Sequence, residues 1–226
     1  MTRRRKILAA TIAVIALLVL GGPALYAALN RAPARLDDRQ LGDGTAIRAA
    51  DLNGEWAATD GSIVGYRVEE QIGLTKTEGV GRTSDVSGRF TVEDGALVAA
   101  EFEVQLSTLA SDRSQRDQQV RTKILDVEAH PVATFVLTGS VAIPDTTDVA
   151  AMEPFVAAGN LTIRGTTKRV DAPMLASLDE GRLRLTGSIE IVFSEWGIPN
   201  PSIPAALIFT KDRGILEFDL LFQPID

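Results

Sequence analysis

The chain has 226 residues, 45% of them apolar and 23% charged, an ordinary balance for a folded protein that excludes disorder throughout. It has no cysteine and one histidine, His130, which excludes disulfides, thiol chemistry, iron–sulfur ligation and an imidazole-based metal site within one chain. Four of the 23 bases fall in residues 3–6, so the other 19 face 30 acids, and a domain that acidic is unsuited to nucleic-acid phosphates.

Arg3-Arg4-Arg5-Lys6 precede Ile7–Leu29, a run of 23 residues without a charge. As a helix the run would measure about 35 Å, enough for a hydrocarbon core of about 30 Å. Bases on its N-terminal side would keep that end cytoplasmic and place the rest outside. The alternative is a cleaved signal peptide, with Ile7–Leu20 as apolar core, Gly21-Gly22-Pro23 as break and Ala24–Ala28 as cleavage region. Leu25 and Tyr26 stand where such a site wants small residues, so a transmembrane helix is the better reading. Both readings export the remainder, to the outer face of the cell membrane or beyond it. Asn30 to Asn53 has no sustained period and mixes Pro33, Gly42 and Gly44 with charges, which reads as a linker.

A barrel domain is expected over 54–226. From Glu55 onward the pattern has period two. Val64, Tyr66 and Val68 alternate with Gly65, Arg67 and Glu69, and Val86, Gly88, Phe90 and Val92 alternate with Ser87, Arg89 and Thr91. Phe102, Val104 and Leu106 do the same among Glu101, Glu103, Gln105 and Ser107. The pattern recurs at Phe135/Leu137, at Leu161/Ile163, from Leu183 to Phe193, and from Leu216 to Phe222. Strict alternation over so many segments means strands with one apolar and one wet face, seven or eight of them, in a sandwich or closed barrel. Between them Asp112 can cap a helix in which Val120, Ile124 and Val127 share a face. Gly187 in mid-strand suits a bend or bulge, and Pro144–Pro154 reads as a polar loop.

Several segments carry a resemblance. Trp56 and Ser62-Ile63-Val64-Gly65-Tyr66 look like an opening strand, and Val86-Ser87-Gly88-Arg89-Phe90 like a second. Arg116-Asp117, Val120 and His130-Pro131-Val132-Ala133-Thr134-Phe135 follow, then Gly159-Asn160-Leu161-Thr162-Ile163-Arg164-Gly165-Thr166-Thr167. Phe193–Pro201 and Gly214–Phe222 complete the set. Over Glu55–Gln223 the chain resembles the YceI-like family of lipocalin-like, polyisoprenoid-binding barrels. Arg169 stands where that family usually has Pro, and His130 replaces its usual aromatic. The resemblance implies an all-β fold: a closed antiparallel eight-stranded barrel with one short helix, enclosing a long apolar channel, with no catalytic residues and no cofactor.

On this reading the channel is lined by Tyr66, Phe90, Phe102, Val104, Leu106, Phe135, Leu137, Leu161, Ile163, Ile189, Ile191, Phe193, Trp196, Phe218 and Leu220. Such a wall suits a long-chain lipid, an isoprenoid above all, because a polar ligand would leave unpaired groups inside it. Burying each CH₂ from water contributes about 0.8 kcal/mol, but a lipid arriving from a bilayer is already out of water, so exchange is close to neutral. Arg164, Lys168 and Arg169 are the candidates for an anionic head group, against the plainer reading of a solvated turn. Glu101 and Glu103 read as wet-face carboxylates, and Asp145 with Asp148 is too small a set for calcium. The competing function is a cell-envelope interaction module whose barrel is filled by its own side chains. Monomer and homodimer both stay open.

Overall fold

The computed structural model of the chain describes Arg4, Arg5, Ile7, Thr11, Gly21, Gly22, Leu25 and residues 31–37, 47–145, 154–179 and 181–225. The membrane-spanning segment expected over 7–29 lies for the most part outside them. Among the described residues no helix is long and apolar enough to cross a membrane.

The alternating segments form strands β1 (Gly54–Ala58), β2 (Ile63–Ile72), β3 (Thr75–Thr83), β4 (Val86–Glu93), β5 (Ala96–Gln105), β6 (Ala110–Ser111) and β7 (Val132–Leu137). After these come β8 (Val141–Ala142), β9 (Phe155–Ile163), β10 (Thr166–Asp179), β11 (Arg182–Val192), β12 (Ile208–Thr210) and β13 (Arg213–Pro224). Each strand pairs antiparallel with its neighbours in the order β1-β4-β5-β7-β9-β10-β11-β13, and β13 returns to β1, which closes an eight-stranded barrel. Closure removes the free edges that an open sheet would present.

Closure is made by two strands in succession along β13. Its last residues pair with β1 at Ala58↔Phe222, and its middle pairs with β2 at Phe218↔Val64. Beyond that level β2 pairs with β3, and β3 pairs with β6, so the wall at this end is built from a second set of strands.

Helix α1 (Ser114–Gln119) runs into a wider π-turn at Val120–Ile124. Asp112 does not cap it. The cap position is Arg113, with no side-chain cap bond, and Asp112 instead accepts a hydrogen bond from Arg116 Nη1 one turn on. Asp117 ties the helix back, accepting from the Ser111 backbone N–H at 2.8 Å and the Ser111 hydroxyl at 2.6 Å.

Gly187 marks no bulge against β13, with which β11 keeps register on both sides of it, but the pairing of β11 with β10 ends there, at Met174↔Gly187. A Cβ there would lie 2.5 Å from the Phe218 ring and 2.4 Å from the Pro173 carbonyl, so the glycine makes room for an aromatic across the strand. The register shift falls instead in β4, between Thr91 and Val92.

Part of the segment read as a linker lies on the barrel. Leu36 is fully buried, and Arg67 Nη2 donates to the Pro33 carbonyl at 2.8 Å. Leu52 is buried and its carbonyl accepts from Trp56 Nε1 at 2.8 Å, while the Ala49 N–H donates to Asp145 at 2.7 Å. As a result β13 is buried on both faces. Its even-numbered residues Leu216 to Phe222 pack into the core, while Glu217 and Asp219 are fully buried on the other face.

Candidate functional site

Inward side chains do not fill the barrel. Trp56 stacks on Phe90 with centroids 6.0 Å apart, and Phe222 meets Phe90 edge-on at 4.8 Å and Phe102 at 5.7 Å. With buried Leu183 opposite Phe222, these rings form a floor at the β1 end. Above the floor lies a cavity of about 540 Å³, within the range of about 300–1,000 Å³ that small-molecule sites occupy. Arg113, Gln115 and Ala206 line it and are exposed, so it opens between α1 and the loop around Pro204–Ala206.

The walls come from the period-two faces. Tyr66 contributes from β2, Phe90 from β4, Phe102 and Val104 from β5, and Leu106 just past it. Phe135 comes from β7, Leu161 and Ile163 from β9, Ile189 and Ile191 from β11, Phe193 from the turn after β11, and Phe218 and Leu220 from β13. Of the residues expected to line the interior, Leu137 and Trp196 do not. Leu137 packs half-buried against the core opposite Gly159, and Trp196 is buried in the turn after β11, because the chain leaves the strand at Phe193.

The three head-group candidates also stand outside the cavity wall. Arg164 turns away and donates from Nη1 to the Gly197 carbonyl at 2.7 Å. Lys168 pairs with Glu195 at 3.2 Å, and Arg169 is exposed on β10 opposite Asn160. Arg164 has φ of 51° and forms with Gly165 the tight link between β9 and β10.

A different polar group faces the cavity. Tyr66 and Glu70 lie on the inward face of β2, and Arg116 reaches in from α1 to donate to Glu70 Oε2 at 3.3 Å. Both ionised side chains are mostly buried, at 13% exposed for Glu70 and 15% for Arg116. Burial pushes the Glu70 carboxyl above its ordinary 4.5, partly offset by the Arg116 charge. Burial likewise raises the Tyr66 hydroxyl well above its ordinary value, so it remains a neutral donor.

Two glycines of β3 create the space. A Cβ at Gly79 would lie 2.5 Å from Glu70 Oε1, and one at Gly81 would lie 2.4 Å from the Tyr66 ring. The sequence signal was Gly79-Val80-Gly81 within a strand, where glycine weakens pairing unless something approaches closely. Sequence reading also missed the apolar loop that faces the cavity with Ile198, Pro201, Ile203 and Ile208, since it lacks a strand period. On that loop and the adjoining β2–β3 turn, Leu74, Leu207 and Phe209 are exposed, brought together by the Gly73 N–H donating to the Leu207 carbonyl.

A closed eight-stranded barrel with an apolar pocket open at one end is the architecture of proteins that enclose a small apolar ligand. The YceI-like domain family matches residues 57–222, and the chain belongs to that family. Among the solved structures that share the fold are the following two. A polyisoprenoid binding domain from Saccharophagus degradans, implicated in plant cell wall breakdown, is 13% identical with a TM-score of 0.58, covering 76% of this chain and 99% of its own. Burkholderia cenocepacia BcnA is 19% identical with a TM-score of 0.55, covering 71% of this chain and 95% of its own. No curated protein matches the chain.

Proposed function

We propose that the barrel binds a long apolar lipid of the polyisoprenoid class outside the cytoplasmic membrane, held there by residues 7–29 as a spanning helix. The observation that carries this reading is the open cavity above the Phe222 floor, walled by aliphatic and aromatic side chains. A barrel packed solid by its own residues, as an interaction module would have, leaves no such space. Family membership and the ligand class in the name of the Saccharophagus relative support the choice of lipid.

Membrane placement is supported by the bases before the uncharged run and by the exposed Leu74, Leu207 and Phe209 beside the cavity opening. The function is carriage without chemistry: the ionised pair that faces the cavity, Glu70 and Arg116, is engaged with itself.

Native mass spectrometry of the full chain purified from membranes tests the proposal. The expected result is an adduct that organic extraction identifies as an isoprenoid-type lipid. A bare chain mass across repeated preparations, with no uptake of added lipid, overturns it.

A further inference from the structure

The loop at the cavity mouth has two faces. From Trp196 to Thr210 it carries no charged residue, in a chain that is 23% charged. Ile198, Pro201, Ile203 and Ile208 turn in and line the cavity. Leu207 and Phe209 turn out, 53% and 46% exposed, and Leu74 joins them from the β2–β3 turn at 82%. The polar side chains of the loop do not cover them, because Asn200, Ser202 and Thr210 are hydrogen-bonded to one another.

Leu207 has φ of 54°, a conformation that a surface turn ordinarily gives to glycine or asparagine. Its N–H donates to the Pro204 carbonyl and its carbonyl accepts from the Gly73 N–H, each at 3.0 Å. The fold thus holds a leucine outward, against backbone preference, at the rim of the pocket. Single exposed apolar side chains need no explanation, but three held together beside an apolar opening mark an interaction surface.

Two observations identify what covers it. The Pro33 and Ala34 carbonyls accept from Arg67 and Arg82 on the barrel wall. Leu29, the last residue of the uncharged run, precedes Pro33 by four residues, a reach of at most about 14 Å. A run that spans the bilayer therefore brings the barrel against its surface. The closed end, where β1 begins and the β4–β5 turn meets Asn53, exposes Asp51, Glu55, Glu93, Asp94 and Asp145. Anionic head groups repel such an end, and its carboxylates are costly to desolvate. The uncharged apolar rim is the end that a lipid surface accepts.

We infer that the barrel sits mouth-down on the bilayer, with Leu74, Leu207 and Phe209 dipping into the lipid surface, so that cargo passes between acyl chains and cavity without crossing water. The inference rests on the reading of residues 7–29 as a membrane anchor given above.

The chain has no cysteine, so a single introduced thiol carries a single label. Ala205→Cys, exposed in the loop, and Glu93→Cys, exposed at the closed end, each receive a nitrobenzoxadiazole fluorophore. The full chain is reconstituted into vesicles of phosphatidylcholine and phosphatidylglycerol, with part of the phosphatidylcholine bearing a nitroxide near the top of an acyl chain. Expected are blue-shifted emission and strong quenching for the loop label, and neither for the label at the closed end. Leu74→Asp combined with Leu207→Asp, both at exposed positions and the second in a backbone conformation that Asp tolerates, should abolish both effects in the loop. Quenching at the closed end, or none in the loop for chains that stay in the vesicles through an alkaline wash, overturns the docking and leaves the anchor standing. Loop emission that shifts to the blue with rising protein density, unquenched by the nitroxide lipid, assigns the patch to a second copy and overturns it too. Loop quenching that persists in the double variant overturns the role of the patch. Chains that the alkaline wash strips from the vesicles overturn the anchor and this inference together.

Discussion

Arg67 Nε donates to Glu217 Oε2 at 3.1 Å across the β2–β13 pairing, with Arg67 3% exposed and Glu217 not exposed at all. Both point away from the cavity, on the wall that residues 33–37 cover. Arg67 also pairs with Glu78 at 2.6 Å, and Arg82 reaches Glu217 at 2.8 Å, so the carboxylate is shared between two guanidiniums. Removing one partner of a buried pair costs about 3–5 kcal/mol, because the charge left behind has no solvent to turn to. Glu217→Ala should lower stability by about that amount in urea denaturation of the full chain. The double variant with Arg67→Ala should lose less than the two single losses combined, since the second change removes one of the stranded charges. Additive losses would mean that the two residues act separately.

Leu36 is the apolar pin of the covering segment, fully buried, with its backbone N–H 3.5 Å from Glu217 Oε2. Truncating a buried leucine to alanine costs about 2–5 kcal/mol, and less where the segment can let go without unfolding the core. Leu36→Ala should therefore fall near 2 kcal/mol. Limited proteolysis should detect the release as faster cleavage within residues 31–37, with the barrel itself intact. Unchanged cleavage would show that the hydrogen bonds from Arg67 to the Pro33 carbonyl and from Arg82 to the Ala34 carbonyl, not Leu36, hold the segment.

Two carboxyls make the acid dependence of stability run in opposite senses. Asp37 is held below its ordinary 3.8, chiefly by its hydrogen bond from Arg35, so its contribution is complete above 3.8 and is lost as pH falls through the folded value. Glu70 is raised above its ordinary 4.5 by burial, so the folded state takes up a proton first. Its contribution is present below 4.5 and is lost as pH rises from there through the folded value. One proton sets a ceiling of about 1.4 kcal/mol per pH unit on either slope. Urea midpoints measured at successive pH values should show Glu70→Gln flattening the fall above pH 4.5 and Asp37→Asn flattening the loss below pH 3.8. An unaltered slope in Glu70→Gln would place that carboxyl in water.

The cavity wall was legible because burial on one face of a strand imposes period two. Phe102/Val104 and Ile189/Ile191 could be assigned inward with no other information. The period fails where the chain leaves the sheet: the odd-numbered series of β11 ends at Phe193, and Trp196, out of step with it, sits buried in a turn. Nor could the pattern foresee a strand buried on both faces. Glu217 and Asp219 look like wet-face residues of β13, and only the fold brings Arg67, Arg82 and Arg184 against them. The polar end of the cavity was hidden for a related reason. Glu70 lies on the apolar face of β2 but meets Arg116 only because α1 folds back over the barrel end, a contact between residues 46 apart in sequence. Charge near an unpaired turn, as at Arg164 and Lys168, was the stronger signal in sequence and the weaker one in space.

Phe222 sets the depth of the pocket. It is fully buried, seated edge-on against Phe90 and Phe102, and closes the interior at the level where β1 joins β13. Phe222→Ala removes the ring from a close-packed floor and should destabilise the domain by about 3–5 kcal/mol. The space it vacates is apolar and continuous with the pocket, so it stays available to hydrocarbon rather than to water. Competition among isoprenoid alcohols of graded length should shift toward longer chains in Phe222→Ala and stay as in wild type in Phe222→Leu, which keeps most of the bulk. Each carbon that enters the new space gains dispersion contacts the shorter chain lacks. An unchanged length preference in the folded alanine variant would mean that the floor collapses inward, with Trp56 and Leu183 moving to close the gap.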